Sequence, residues 1–187
     1  INDLLDITKI ETGSVELDIR PVHLAENLSN VISELRASIV AHEHELSINI
    51  PPGLPLLRVD AKRLNQILHN VVSNAVKYTP NGGKITIEAV EGGIELVPES
   101  LREGLRTNAS YVLISVTDTG VGIAPEELEQ IFERFYRTEN PLKIEAGGTG
   151  LGLSLVRPLT ILLGGRIWVE SVLNEGSTFS MVFPVYT

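Results

Sequence analysis

The sequence predicts an α/β (α+β) two-layer sandwich in which helices pack on one face of a mixed, mostly antiparallel sheet. Segments with apolar residues at helical spacing are interleaved with short segments in which apolar and polar residues alternate, as they do in strands. The last two strand-like segments, RIWVES and STFSMVFPV, flank a short turn at residues 173–176, which predicts a hairpin. With 187 residues and 43% hydrophobic content, the chain can bury one ordinary core, so we expect a single globular domain.

Composition and charge exclude several classes of protein. A formal net charge of -9 argues against a broad nucleic-acid surface, which needs a basic face. The absence of cysteine excludes disulfides and cysteine-based zinc sites and fits a reducing cytoplasm. No apolar run approaches the roughly 20 residues that cross a bilayer. The chain begins with Ile1 and shows no signal peptide, so we expect an excised segment of a longer protein.

The first half of the chain carries three helical patterns and one strand pattern. Helices are predicted over residues 1–12, 22–40 and 61–78, and a strand over residues 45–50. The third helix has the clearest start, because Asp60 can accept its first backbone amides while Val59 and Leu64 are spaced to pack across it. Its end is set by TPNGG at residues 79–83.

The second half alternates strands with glycine-rich and polar connections. Strands are predicted over residues 84–90, 111–117, 166–171 and 177–185. We expect the long excursion at residues 91–110 to be surface, with one helical turn near residues 98–105. A helix is predicted from Pro125 to about Tyr136, since a proline and two glutamates favour a first turn. A further helix follows GGTGLGL, and Pro158 inside it should bend it.

One face of the helix over residues 61–78 is polar. Its apolar residues recur at helical spacing, which leaves amides, a hydroxyl and an ammonium on the other side: Gln66, Asn70, Ser73, Asn74 and Lys77. A solvated face is the ordinary interpretation of such a stripe. Two glycine-rich motifs downstream favour a binding site instead.

The first of these motifs, DTGVGI, places Asp118 after a strand and inside a turn with Gly120 and Gly122, where backbone can approach a flat ligand closely. The second, GGTGLGL, leads into a helix whose unpaired amides and positive end suit phosphate groups. Taken alone, the first is a common turn and the second a flexible hinge. There is no GKS or GKT, which excludes a P-loop, and the glycines follow a polar loop rather than the strand of a dinucleotide-binding motif.

Four motifs together resemble the boxes of the histidine kinase catalytic domain, in the GHKL ATPase superfamily. NVVSNAVKY resembles the N box, DTGVGI the first glycine box, FERFYR the F box and GGTGLGL the second glycine box, in the family's order and spacing. The flanking DxxRLxQIL pattern and the segments GGRIWVES and GSTF also match. The resemblance implies a Bergerat-type ATP-binding catalytic domain over residues 14–187, preceded at residues 1–13 by the end of a dimerisation helix and a linker.

The resemblance implies roles for residues of the first two boxes. Asn74 would hold the Mg2+ that bridges the phosphates of ATP, and Asn70 would assist it. Lys77 would meet the phosphates, while Tyr78 would lie along the adenine. Asp118 would accept a hydrogen from the adenine amino group.

The same resemblance implies roles for the glycine boxes and for the segment between them. The residues implied to border the base are Gly120, Gly122, Ile123 and Thr178. Residues 138–148 would form the ATP lid, with Arg137 as a catalytic residue that reaches the terminal phosphate, beside Asn74 and Lys77. The backbone amides implied to meet the phosphates are those of Gly148, Thr149, Gly150, Leu151 and Gly152.

The family's phosphoacceptor histidine is followed by an acidic residue, a basic residue and, five positions on, a proline. None of the four histidines has that context: His23, His42, His44 and His69. The implied partners are therefore ATP, the histidine-bearing dimerisation domain of the same full-length protein and a downstream response regulator. We expect a homodimeric full-length protein, a monomeric fragment and no nucleic-acid partner. The implied location is the cytoplasm, alone or as the cytoplasmic part of a membrane-bound sensor.

Three other functions stay open at this point. Chaperone, gyrase and mismatch-repair ATPases share the pocket but use a catalytic acid near the N box, and residues 64–78 contain no Asp or Glu. Anti-sigma serine kinases share it too, but usually lack the FERFYR segment and the dimerisation helix. A degenerate nucleotide-binding scaffold would have lost catalysis, which the intact boxes argue against.

Overall fold

The computed structural model describes residues 2–136 and 152–187 of the chain. Its helices are α1 Asn2–Glu11, α2 Leu24–Ala41, α3 Ala61–Tyr78 and α4 Gly152–Leu162. Its strands are β1 Ile19–Val22, β2 Glu45–Asn49, β3 Leu57–Asp60, β4 Lys84–Gly92, β5 Tyr111–Asp118, β6 Arg166–Val172 and β7 Gly176–Pro184. No helix within these described ranges is long and apolar enough to cross a membrane.

Five of the described strands form one sheet, in the order β2-β4-β5-β7-β6. β2 runs parallel to β4, and the other neighbouring pairs in this sheet are antiparallel. β1 and β3 form a separate antiparallel ribbon. The mixed, mostly antiparallel sheet and the hairpin between β6 and β7 confirm the predicted architecture.

The helices and one face of the sheet share a hydrophobic core. Successive residues of a strand point to opposite faces, and the alternate residues that face the helices are buried. On the central strands these are Ile85, Ile87, Val112, Ile114, Val116, Phe179, Met181 and Phe183. α3 contacts both α2 and α4 and lies over β5, so the polar stripe of α3 is held at a fixed position above the sheet.

The start of α3 is the one that the sequence predicts. Oδ1 of Asp60 accepts a hydrogen bond from the backbone N–H of Arg63 at 3.1 Å, and Oδ2 accepts one from the N–H of Asp18 at 2.9 Å. Val59 and Leu64 on either side of this cap are buried. A cap of this kind contributes about 1 kcal/mol to stability, and here it also ties the chain before β1 to the helix.

Residues 91–110 cover the other face of the sheet. Val97 is buried and packs with Tyr111 and Val182 in a second, smaller core, to which the partly buried Trp168 belongs. The guanidinium of Arg166 on β6 donates to backbone carbonyls of this segment. The predicted helical turn is two short 3-10 turns, Ile94–Leu96 and Glu99–Leu101. The excursion is therefore a packed layer rather than simple surface.

The predicted helix over residues 22–40 begins two residues later than expected. Val22 belongs to β1 and pairs with Leu57 on β3, so it is buried in a ribbon that the sequence analysis missed. These two strands have four residues each, which is too short for an alternation of apolar and polar residues to stand out.

The predicted helix from Pro125 to Tyr136 is wrong. The chain forms two 3-10 turns, Pro125–Glu127 and Gln130–Phe132, and Phe135 then adopts a φ of +59°, which ends any helical path. Ile131 and Phe132 are both buried against the core, so tertiary packing overrides the local helix signal. α4 continues past Pro158 to Leu162, and whether Pro158 bends it stays a prediction.

Candidate functional site

A cleft opens between α3, the carboxyl end of β5, the loop that follows β5, and β7. Among the described residues, its lining consists of Asn74, Tyr78, Asp118, Val121, Gly122, Ile123, Ile131, Tyr136, Leu153, Ser177 and Phe179. Five of these side chains are apolar, and the polar ones lie on the sheet floor, on α3 and at Tyr136. A slot with apolar walls and a few convergent polar groups suits a flat, partly polar ligand.

The floor of the cleft carries two buried polar side chains from neighbouring strands. Asp118 ends β5 and Ser177 lies near the start of β7, and the two residues are direct partners in the antiparallel register. Each is only 7% exposed. Oδ1 of Asp118 accepts a hydrogen bond from the backbone N–H of Gly120 at 2.8 Å, which fixes the orientation of the carboxyl.

The loop that follows β5 is held from two sides. On the helix side, the N–H of Val121 donates to the carbonyl of Tyr78, the last residue of α3, at 3.1 Å. On the hairpin side, the N–H of Ile123 donates to Oγ of Ser171 at 2.7 Å, and the N–H of Asn174 donates to the carbonyl of Val121 at 2.7 Å. The β6–β7 hairpin therefore braces the loop.

Two glycines of this loop are required by the protein's own backbone. A Cβ at Gly120 would collide with the carbonyl oxygen of Tyr78. Gly122 has a φ of +68°, and a Cβ there would collide with the carbonyl of Val172. These glycines were predicted to let a base approach closely, whereas the described atoms that crowd them belong to Tyr78 and Asp118 at Gly120 and to Val172 and Leu173 at Gly122.

α3 supplies one wall of the cleft. Asn74 and Tyr78, which lie one helical turn apart, line it. Asn70, one turn earlier, donates from Nδ2 to the carbonyl of Gly152 at 3.3 Å and so links α3 to the start of α4. Lys77 is exposed and is not part of the described lining.

Of the F box, Tyr136 lines the cleft, and Phe132 anchors this segment on α4 and β7. Phe132 meets Phe179 edge to face, with ring centroids 6.3 Å apart. The guanidinium of Arg157 on α4 lies 4.0 Å from the centroid of the Phe132 ring and 3.6 Å from a carboxylate oxygen of Glu129. The hydroxyl of Tyr136 donates to Glu127 at 2.7 Å.

The structure brings most of the described predicted residues to one place. Asn74, Tyr78, Asp118, Gly122 and Ile123 line the cleft, and Asn70, Gly120 and Gly152 contact its lining or its immediate supports. The predicted residues Arg137, Gly148, Thr149, Gly150 and Leu151 and the predicted lid at residues 138–148 lie outside the described residues.

Thr178 is not brought to the cleft. Its hydroxyl pairs with that of Thr117 at 3.0 Å, on the face of the sheet opposite to that of Asp118. Alternation along β7 puts Ser177 on the cleft side instead. The cleft residues that the sequence analysis missed are Val121, Ile131, Tyr136, Leu153, Ser177 and Phe179. Ser177 reaches the cleft because the register of β5 with β7 places it opposite Asp118, and no local sequence signal specifies that register.

Comparison with known protein families identifies the family to which this chain belongs. The profile of the histidine kinase-, DNA gyrase B-, and HSP90-like ATPases matches residues 59–187, which include α3, β5, the cleft and the β6–β7 hairpin. The chain belongs to this family. The resemblance found in the four sequence motifs is thereby confirmed.

Histidine kinases are among the proteins that resemble the chain over its whole length. The circadian input-output histidine kinase CikA of Synechococcus elongatus is 35% identical over 189 residues, which cover 100% of this chain and 23% of CikA. Among solved structures, full-length ShkA in complex with AMPPNP is 29% identical, with a TM-score of 0.79, over 100% of this chain and 35% of ShkA.

The catalytic domain of histidine kinase ThkA matches at nearly its full length. It is 27% identical, with a TM-score of 0.69, and the match covers 90% of this chain and 98% of ThkA's domain. The chain spans less than half the length of the curated relatives that it matches. The family and fold of this ATPase domain are thus those of histidine kinase catalytic domains.

Proposed function

We propose that the chain is the ATP-binding catalytic domain of a two-component sensor histidine kinase, which transfers the γ-phosphoryl group of ATP to a histidine on a dimerisation domain. The observation that carries the proposal is a buried carboxyl, Asp118, on the floor of an apolar cleft whose side wall is the amide-bearing helix α3. Membership of the ATPase family supports nucleotide binding, and the whole-length similarity to histidine kinases supports the reaction.

At the base end of the cleft, the chain's own groups would select and orient the adenine. Asp118 would accept a hydrogen from the exocyclic amino group. Val121, Ile123 and Phe179 provide apolar surface for the faces of the ring, and Tyr78 would lie along it. Because the carboxyl is already oriented by the N–H of Gly120, the base would meet a preformed acceptor.

At the phosphate end, the residues fit a magnesium nucleotide. Asn74 presents a side-chain amide to the cleft, and Mg2+ prefers hard oxygen ligands while keeping several waters. Asn74 would hold the ion, with Asn70 one turn away assisting. When bound, the ion would neutralise charge on the phosphates, which phosphoryl transfer requires more than covalent help. Lys77 and Arg137 would orient the terminal phosphate for in-line attack.

The phosphoacceptor would come from another domain. His44, whose HEL context superficially resembles an acceptor, is 9% exposed, and its Nε2 lies 2.9 Å from the carbonyl oxygen of Thr79. His69 lies on α3 with Nε2 3.6 Å from a carboxylate oxygen of Glu34. An acceptor must reach the γ-phosphate with an accessible ring nitrogen, and His44 does not offer one.

The rest of the full-length protein follows from this division of labour. α1 would be the end of the second dimerisation helix, and the catalytic domain would begin near residue 14. The dimerisation domain would bring two copies together and supply the histidine with an acidic neighbour as its base. The phosphorylated histidine would then serve a response regulator. Since ATP is a cytoplasmic nucleotide, we place the domain in the cytoplasm.

The test is reconstitution from two parts. The chain is incubated with γ-labelled ATP and Mg2+, alone and with an added histidine-bearing dimerisation domain, and acid-labile phosphate is measured on each component. We expect label only on the added domain. Asn74→Ala should abolish this labelling, whereas Asn65→Ala, an identical change on the same helix but outside the cleft, should leave it intact.

Three results would contradict the proposal. Brisk ATP hydrolysis by the chain alone would favour the family's ATP-driven conformational machines. Acid-stable serine phosphate on a partner would favour a serine kinase. Nucleotide binding without transfer to any dimerisation domain of the family would favour a scaffold.

A further inference from the structure

Ser171 lies on β6, next to the base end of the cleft, and its hydroxyl is the centre of three hydrogen bonds. The backbone N–H of Ile123 donates to its Oγ at 2.7 Å. The same Oγ lies 2.8 Å from the carbonyl oxygen of Gly176 and 2.8 Å from Oγ of Ser177. Ser171 itself is not among the described residues that line the cleft, so any effect it has on a ligand passes through its neighbours.

The chemistry of the three partners fixes where each proton lies. A hydroxyl has one proton to donate and two lone pairs to accept with. Since the amide of Ile123 can only donate and the carbonyl of Gly176 can only accept, the proton of Ser171 points to Gly176. The lone pair that remains on Ser171 then accepts the proton of Ser177. The hydroxyl of Ser177 is therefore oriented with its proton away from the cleft.

This orientation determines what Ser177 offers to a ligand. With its proton committed to Ser171, Ser177 presents only acceptor lone pairs toward the cleft. Its register partner on the floor, Asp118, is also an acceptor when it is a carboxylate. Two adjacent acceptors favour a ligand edge that carries hydrogen donors and disfavour one that carries a carbonyl.

We propose that Ser171 is a specificity-determining positioning residue, which holds the hydroxyl of Ser177 as an acceptor and so helps the cleft select a purine with an amino group at C6, as in adenine, over one with a carbonyl at C6, as in guanine. The inference rests on the proposed nucleotide-binding function. The backbone around these hydrogen bonds supports the proposal, because Gly176 has a φ of +136° and no room for a Cβ beside the carbonyl of Asp118. The acceptor for the proton of Ser171 is thus held in place.

The test compares two substitutions of the same shape. Ser171→Thr keeps the hydroxyl, whereas Ser171→Val has the same branching and nearly the same volume but has no hydroxyl; both are favoured in strands. Affinities for Mg-ATP and Mg-GTP are measured by calorimetry for the wild-type chain and both variants, with thermal unfolding as a check on folding. The quantity of interest is the ratio of the two affinities.

We expect Ser171→Thr to keep the wild-type preference for ATP. Ser171→Val should lower the preference by about threefold to tenfold, because the proton of Ser177 is released and can turn to a guanine carbonyl. Ser177→Ala should lower the preference as well. Adding Ser171→Val to Ser177→Ala should have little further effect, since both changes remove the same Ser177–Ser171 hydrogen bond.

The outcomes separate this inference from the function on which it rests. An unchanged preference in Ser171→Val, or an equal loss of preference in the valine and threonine variants, would overturn the role of the hydroxyl. A uniform loss of affinity for both nucleotides would assign Ser171 to loop support alone and would also overturn it. Failure of the wild-type chain to bind ATP would overturn the proposed function itself.

Discussion

The proposed base end and the proposed phosphate end of the cleft are built in different ways. At the base end, Asp118 and Ser177 stand on neighbouring strands, each 7% exposed, and each side chain has a hydrogen-bond partner within the protein. At the phosphate end, Asn70 and Asn74 stand on one face of α3 and are half-buried, while Lys77 is exposed. The base end is held by the paired strands β5 and β7, whereas the phosphate end consists of side chains from the single helix α3.

This difference separates two properties of a nucleotide site. Groups held by a sheet and a braced loop are positioned before the ligand arrives, so they discriminate between bases at little cost in ordering. Half-exposed amides and an ammonium keep part of their rotamer freedom, and they gain their full effect only when phosphates and a cation complete the arrangement. We therefore expect base selectivity to depend on the fold and phosphate affinity to depend on the metal.

The largest effect is expected at Asp118. In Asp118→Asn the carboxyl becomes an amide that can present a donor to the adenine amino group, so a buried hydrogen bond to a charged group is lost. Such a bond contributes roughly 1.5–3 kcal/mol, and ATP affinity should fall about 10- to 150-fold, with or without Mg2+. Calorimetry measures the affinity for ATP, and Asp18→Asn, at an exposed position, is the matched control. Equal binding of ATP and GTP by the wild-type chain would contradict this role of Asp118.

An intermediate effect is expected at Asn74, and it should depend on the metal. Asn74→Ala should lower the affinity for Mg-ATP by about 10-fold, as expected for one hydrogen bond or ligand bond to a charged group. When the metal is chelated, the same substitution should change the affinity for ATP little. The same titrations with Asn65→Ala provide the control. A loss of the same size with and without Mg2+ would mean that Asn74 contacts the nucleotide directly, and the contrast between the two ends would weaken.

The sequence predicts those parts of the fold in which local signals and tertiary packing agree. For α3, the cap at Asp60, the apolar stripe and the TPNGG stop all give the bounds that the structure has. At residues 125–136 the two disagree, because the local signal favours a helix while burial of Ile131 and Phe132 requires two tight turns. The β1–β3 ribbon escaped prediction because its strands depend on a partner 35 or more residues away.

The site follows the same rule. Asp118 and Asn74 were predicted because their chemistry appears within a motif, and both line the cleft. Ser177 and Ser171 were missed because their role depends on which residues face each other across β5, β7 and β6, a register that no local pattern specifies. Thr178 was chosen in place of its neighbour for that reason: a shift of one residue along a strand moves a side chain to the other face.

The smallest effect is expected at Lys77, and it tests the phosphate end most directly. Lys77 is exposed and outside the described lining of the cleft, so an interaction with phosphate would resemble a surface ion pair, at about 0.2–1 kcal/mol. Lys77→Met keeps a long unbranched side chain and removes the charge. It should lower the affinity for Mg-ATP by no more than about fivefold, and the loss should shrink as salt is added.

Lys62→Met is the control for Lys77→Met, since Lys62 is an exposed lysine at the opposite end of α3. This control substitution should leave the affinity for Mg-ATP unchanged. If Lys77→Met instead weakens binding as much as Asp118→Asn, and does so independently of salt, the ammonium must become buried against the phosphates when nucleotide binds. The phosphate end of the nucleotide complex would then be as ordered as the base end already is without nucleotide. The contrast between the two ends would describe only the nucleotide-free cleft.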